Sequence, residues 1–516
     1  MTPSTLNYYL TNSVEDQELA MLFYFPLYGT DGETYDDYPI LASSMVVSKD
    51  KKDYTYNLNP NARWSDGTPV TTDDFEFSFN KLMDPKVEAA PLRGYFEGVK
   101  FQKIDRLKFS FHIDQPRFNT LQVLNGFVPL QKKQFENEPD FNKSRENLRP
   151  IGTGPFKVTV FSRDQQVVLE HIPDWWAKDL PRFKSRYNQN TWTFKIISDM
   201  ALGYEKFLKG EIDLVSFTSE QFANQVTKSD REKVGASREE GKSVWGGKLP
   251  TDAAMAWSGL ALNLNSPIFS SKNTRKGLAY LVDYKAVIER AYFGLISQSV
   301  SPFGSNTENT DPGLKAGKGI YTYDPKKAAE YFEKDGWVKK DGLASYVKDI
   351  GGKQVTFSFV LKYYASNPAS EKMAVILKEV FKKSGVNIDL RPTDGAALSK
   401  DFDDKQFDAM IMGWGGGSIY PDPKQLWSSD SISDGSNKVA YSNPQVDALI
   451  KKADLEFNRK KRAKLLQEIN RILYDDVPYI FMIERHFVIE GINSRFKSPK
   501  WIERYSPTVA KELFYE

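Results

Sequence analysis

Apolar and polar residues alternate over Tyr54–Leu58 and again through Leu107, Phe109, Phe111 and Ile113, the period-two pattern of half-buried strands. Between these runs, Trp64-Ser65-Asp66-Gly67-Thr68-Pro69 is dense in turn formers. Thr72 then reads as a helix N-cap, and Asp73 and Asp74 fall in the first turn, where the helix dipole favours carboxylates. Phe75, Phe79 and Leu82 follow at i, i+4, i+7, and Asp84-Pro85 stops the helix. Further on, the turn Ile151–Phe156 leads into a hairpin of Lys157–Phe161 with Gln165–His171. Trp192, Phe194 and Ile196 share one face of a strand, Ser198–Lys209 reads as a helix ended by Gly210, and Ile212–Phe217 is a further strand. That β-α-β order predicts parallel strands joined by a crossover helix.

A second sheet is expected beyond residue 350. Gln354–Leu361 alternates, Glu371–Lys383 is helical with Gly385 just past its end, Val386, Ile388 and Leu390 alternate, and Phe407–Met412 is a short buried strand. Two more helices start at Asp324-Pro325 and Asn443-Pro444, each with an acidic or amide cap before a proline at the first helical position. Leu465, Leu466, Ile469, Ile472 and Leu473 make one more apolar stripe, read as plain core. No internal repeat or low-complexity linker interrupts the pattern.

With 516 residues, the chain is long enough for about three packed units. Its 40% hydrophobic content, raised further by 33 glycines, excludes disorder as the main state. The net charge is +2 with the two signs interspersed, so no surface for nucleic acid or an anionic membrane is announced. Zero cysteines remove disulfides, thiolate nucleophiles and Cys-type zinc sites. His112, His171 and His486 are far apart and no HExxH occurs, so no metal site and no cofactor are expected. No run of about 18 apolar residues is found, and MTPSTLNYYL has neither a basic region nor an apolar core. A soluble chain is expected, and a mature exported protein begun at a start Met would read the same way.

Gly241-Lys242-Ser243 resembles the end of a phosphate loop, but Gly235 lies one residue too far upstream and Glu239 and Glu240 would repel phosphate. Paired carboxylates of a glycosidase are permitted by composition, without any spacing that singles out a pair. The segment Phe407–Pro423 is different. A short strand empties into Gly413-Trp414, then Gly415, Gly416, Gly417, Ser418, Ile419, Tyr420 and the turn Pro421-Asp422-Pro423. Backbone amides and a large indole are thereby placed at the carboxyl end of a strand, where open α/β sheets bind ligands. A glycine-rich crossover with Trp414 as its plug fits the same spacing.

Several stretches, taken together, resemble the extracellular solute-binding proteins of ABC importers that include the dipeptide and oligopeptide binders. They are Ala62–Phe75 with Phe79, Gly152–Phe156, Gly210–Asp213, Leu262-Asn263 with Arg275, Tyr323–Ala328 with Gly336-Trp337, and Gly413-Trp414 with Pro421–Pro423. Asp174–Pro181 with Arg186-Tyr187-Asn188 is most similar to the branch of the microcin C importer's binding protein. The resemblance implies an α/β, two-lobed periplasmic-binding-protein fold of class II type with an extra β-rich subdomain and a ligand cleft between lobes. Residues 1–45, 165–265 and 478–516 would form the first lobe, 46–164 its β-rich subdomain and 266–477 the second lobe, with crossings near Asn263–Ser270 and Val477–Tyr479. It implies a monomeric, non-catalytic protein of the periplasm or cell surface, lipid-anchored or free, that hands a peptide or peptide-like solute to permease subunits. By the same resemblance Trp414 is a cleft residue, with Gly415, Gly416, Gly417, Ser418, Ile419, Tyr420 and Asp422 as ligand-binding candidates beside it, and Tyr24 and Phe25 form another cleft wall. Trp257 and Trp175 are further aromatic candidates. Ile419 stands where the peptide binders carry the aspartate that holds a peptide's α-ammonium group, which puts a simple free dipeptide in question. An oligosaccharide binder of the same fold is the alternative ligand class, and a saccharide or peptide hydrolase the alternative activity.

Overall fold

Contacts along the chain divide it into two units, Met1–Ser198 with Arg495–Glu516, and Asp199–Ser494. The computed structural model describes residues 3, 5–11, 14–184, 186–225, 244–250, 256–314, 319–340, 342–415, 420–493, 496–497 and 514–515. Gly241-Lys242-Ser243 and Gly416, Gly417, Ser418 and Ile419 lie outside them.

In the first unit, a ribbon pairs β1 (Tyr28–Thr30) with β2 (Asp37–Pro39). Beside it in sequence is an antiparallel sheet of β3 (Ala42–Val47), β4 (Asp53–Leu58), β5 (Val99–Asp105) and β6 (Lys108–Ile113), in the order β3-β4-β6-β5. The predicted alternation is what builds its core: Tyr54, Tyr56 and Leu58 are buried on β4, and Phe109, Phe111 and Ile113 on β6. Helix Thr72–Met83 supplies Phe75, whose ring lies 5.0 Å from that of Phe109. Burial of each such side chain is worth about 1.5–3 kcal/mol. The N-cap is Thr71, one residue earlier than the spacing suggests. Asp74 reaches back three positions to accept the Thr71 amide at 3.0 Å, while the Thr72 hydroxyl is taken by the Asp105 carbonyl at 2.7 Å. A second antiparallel sheet, β7 (Phe156–Ser162), β8 (Gln166–His171) and β9 (Thr191–Lys195), contains the expected hairpin.

The predicted β-α-β crossover does not form. Helix Met200–Leu208 is present, but β10 (Leu214–Ser216) shares no sheet with β9. It pairs antiparallel with β20 (Phe487–Asn493), which also pairs with β11 (Val244–Pro250). A strand from the far end of the sequence thus claims the edge that local order had reserved for β9. Tyr204, Phe207, Phe217, Phe222 and Ile489 make a small core of their own over this sheet. Gly491 is required there, because a Cβ would sit 2.7 Å from the Phe207 ring and 2.8 Å from the Phe217 ring.

The larger sheet of the second unit runs β17-β16-β18-β12-β19, from β12 (Trp257–Leu262), β16 (Ser358–Tyr364), β17 (Asn387–Thr393), β18 (Ala409–Trp414) and β19 (Tyr479–Glu484). β16 is parallel to β17 and β18, and β12 is antiparallel to both β18 and β19. Four strands therefore share one direction and end at one edge. Trp257–Leu262 and Tyr479–Glu484 are neighbours in this sheet. The Gln354–Leu361 run is split. β13 (Val338–Lys339), β14 (Tyr346–Ile350) and β15 (Lys353–Thr356) form a separate antiparallel sheet, and Phe357 between β15 and β16 is buried against Trp337 at 4.2 Å. Arg275 on helix Lys272–Leu281 is buried and donates to the carbonyls of Phe269, Ser270, Asp476 and Val477. It ties the carboxyl end of helix Arg459–Asp476 to the amino end of its own helix.

Candidate ligand-binding site

The shared edge where β16, β17, β18 and β19 end is where an open α/β sheet offers a ligand site. β18 arrives there buried at Ala409, Met410 and Ile411, then opens through Gly413, which is exposed. Gly413 has no room for a side chain, since a Cβ would lie 2.5 Å from Ser258 Oγ and 2.7 Å from the Trp257 carbonyl. This close approach brings β12 tight against β18 just before the indole.

Trp414 is half-buried at the margin of the core. Its Nε1–H donates to Tyr479 Oη at 3.3 Å, and its ring lies 6.0 Å from that of Phe402. The side chain is thus held at one edge and partly open to solvent. Gly415 is exposed. Tyr420 is half-buried, with the Arg459 guanidinium 5.7 Å from its ring centroid. Asp422 Oδ1 accepts the Lys424 amide at 2.9 Å, which makes it a cap for the turn Lys424–Trp427. Arg462 is buried beneath this turn and donates from Nη2 to the Pro421 carbonyl at 2.6 Å and from Nε to the Ala453 carbonyl at 3.3 Å. Burial pushes its guanidinium down to about 10, against the opposing pull of Asp422 and Asp454.

The other aromatic candidates lie deeper. Trp257 stands directly across the β12–β18 pair from Trp414, yet it is 2% exposed and packed on Trp427, Tyr479 and Phe481. Tyr24 and Phe25 belong to the first unit, and both are buried there. Tyr24 Oη has no hydrogen-bond partner among the described residues, and burial raises its phenol far above the ordinary range. Phe25 packs on Trp175, Phe183 and Tyr187, and its amide donates to Thr153 Oγ1 at 3.1 Å. Trp175 and Trp176 both donate to the Thr153 carbonyl at 2.9 Å. Gly152-Thr153-Gly154 is thus a seat for the Phe23–Phe25 segment, so close that a Cβ on Gly152 would lie 1.8 Å from the Phe23 carbonyl oxygen.

Three side chains at this edge escaped the sequence reading. Tyr479 carries no signal beyond being aromatic. Arg462 does carry one: it falls on the helical stripe of Leu466, Ile469 and Leu473, a charge at a position where an apolar residue is expected. Glu484, at the end of β19, is buried and accepts the Ser305 amide at 3.1 Å and the Ser305 hydroxyl, with His486 Nε2 3.4 Å away. Burial pushes its carboxyl above the usual range despite those partners. Among the described residues no group of three or more metal-ligating side chains occurs, and no helix is long and apolar enough to cross a membrane.

Comparison with known proteins places these features. The oligopeptide-binding protein AppA of Bacillus subtilis is 25% identical over 481 residues, covering 89% of this chain and 79% of AppA. The structure of that protein with a nonapeptide superposes with a TM-score of 0.87 at 22% identity, covering 100% of this chain and 97% of AppA. Helicobacter pylori DppA in complex with the peptide STSA gives 0.81 at 20% identity, covering 100% and 96%. Campylobacter jejuni NikZ in complex with Ni(L-His) gives 0.79 at 23%, covering 99% and 97%. The family model of the bacterial extracellular solute-binding proteins, family 5, matches residues 38–438, and with that span, the mixed α/β architecture and the ordered motifs from Ala62 to Pro423, the chain belongs to that family.

Proposed function

We propose that this protein is the solute-binding component of an ABC importer, capturing a peptide or peptide-like solute outside the cytoplasmic membrane and delivering it to permease subunits. The observation that carries this reading is the family match over residues 38–438, together with the 25% identity over 481 residues to the oligopeptide-binding protein AppA. Binding without chemical turnover is the proposed mode, with ligand contacts favouring a closed state that the permease reads. Trp414, with its indole anchored at one edge by Tyr479 and partly open, is proposed as an aromatic wall for the solute. Gly415, Gly416, Gly417, Ser418, Ile419, Tyr420 and Asp422 are proposed as further ligand-binding residues. The burial of Trp257 favours a supporting role behind Trp414, and the burial of Tyr24 and Phe25 favours a packing role within the first unit. The division into a discontinuous first lobe, a β-rich subdomain and a second lobe remains our proposal for how the chain is organised around the ligand, as do a monomeric state and a lipid anchor. Membership of the microcin C importer branch is proposed on Asp174–Pro181 and Arg186-Tyr187-Asn188.

Mass spectrometry of material that co-purifies with the protein tests the ligand class. Peptides are expected. An oligosaccharide in their place, or turnover of an offered peptide, would overturn the reading.

A further inference from the structure

Arg485 follows β19 directly, at the edge where the four parallel strands end, and it has too few partners for a guanidinium. Among the described residues it makes one hydrogen bond, from Nη2 to Ser219 Oγ at 3.2 Å. Its Nε is buried with no partner among the described residues, while the residue keeps part of its surface accessible. A guanidinium carries five N–H donors, and withdrawing one from water without a counter-charge is costly. Among the described residues no carboxylate is ion-paired with it, and Glu490 attracts it only through its charge at longer range. Glu484 takes the Ser305 amide and hydroxyl, Glu220 pairs with Lys372 at 2.7 Å, and Glu490 accepts from Ser216 Oγ at 2.8 Å. Burial holds the Arg485 guanidinium below its usual range, with Tyr292 and Glu490 offsetting part of that. Tyr292 is itself pushed up to about 12 by burial, so it faces Arg485 as a neutral hydroxyl at neutral pH.

We infer that Arg485 anchors a carboxylate of the bound solute, its planar fork completed by the two oxygens of that group. A carboxylate fits because it matches the fork with two parallel hydrogen bonds and supplies a counter-charge in direct contact. The inference rests on the solute-binding reading. For a peptide the group is either the α-carboxylate or an acidic side chain, and both present the same chemistry.

The test uses the full chain. Native mass spectrometry first screens it against an equimolar pool of synthetic tetra- to nonapeptides with free carboxyl termini. For a retained sequence, calorimetry then compares the free acid, its C-terminal amide, and the form with each Asp or Glu replaced by Asn or Gln, on wild type and on Arg485→Gln. One of the two neutralisations should cost the wild type about tenfold or more, and the same change should cost R485Q under about twofold. Whichever neutralisation behaves this way identifies the source of the carboxylate. Equal losses in both proteins, or an unchanged affinity in R485Q, would overturn the inference. A second measurement needs no ligand: Arg485→Met should melt at or above the wild type, because a buried unpaired charge is removed. A fall of more than about 3 °C would mark the guanidinium as a structural tie to Ser219 and overturn the inference. If the wild type retains no peptide from the pool, the peptide reading fails on its own, and the melting comparison decides the role of Arg485.

Discussion

Trp257 and Trp414 face each other across one strand pair, yet one is sealed in the core and the other stands half open. Depth along the sheet makes the difference: Trp257 begins its strand over Trp427, Tyr479 and Phe481, while Trp414 ends its strand beside an exposed Gly415. Trp414→Ala should therefore weaken solute binding by about 1–3 kcal/mol in calorimetry and leave the melting temperature nearly unchanged. A variant that fails to fold would show that the indole is a plug. Ile419 bears on the other end of a peptide ligand. A buried ammonium without a carboxylate partner is costly, so N-acetylation of a bound peptide should cost under about 1 kcal/mol. A hundredfold loss on acetylation, about 2.7 kcal/mol, would show that some other acid has taken the anchoring role.

The turn Tyr420–Pro423 is held by the helix packed against it. Arg462 reaches from helix Arg459–Asp476 to the Pro421 carbonyl and to Ala453, the residue near the end of helix Pro444–Leu455. Methionine at 462 would fill similar volume but leave both carbonyls without this donor. Arg462→Met is expected to lower stability by about 1–3 kcal/mol in denaturant unfolding. The same change should speed hydrogen exchange at Lys424 and Trp427, whose amides bond back to Asp422 and Pro423. Exchange that stays as slow as in the wild type would mean that the turn holds itself.

At the scale of the whole molecule, a solute that binds only the native state must raise its melting temperature. Saturation at about 100 times Kd adds about 2.7 kcal/mol to unfolding. If closure accompanies binding, the radius of gyration should also fall on adding a peptide that calorimetry shows to bind. Superimposable scattering profiles with and without that peptide would count against closure while leaving binding intact.

Local chemistry alone was enough for much of this chain. The helix from Thr72 to Met83, the alternation of β4 and β6, the hairpin after Phe156 and the proline-started helices are all decided within a dozen residues, by period, caps and turn formers. So is the emptying of β18 into glycine and Trp414, which follows from an apolar run meeting a glycine cluster. Pairing is decided elsewhere. β20 enters between β10 and β11, and β12 runs antiparallel between β18 and β19, because an open strand edge is satisfied by whatever strand the rest of the fold delivers, however distant in sequence. Only the tertiary structure tells a sealed tryptophan, Trp257, from a half-open one, Trp414, since both have the same period. It also settles whether a charge has its counter-ion, because the groups that engage Glu484, Glu220 and Glu490 and leave Arg485 short of partners come from segments scattered over the second unit.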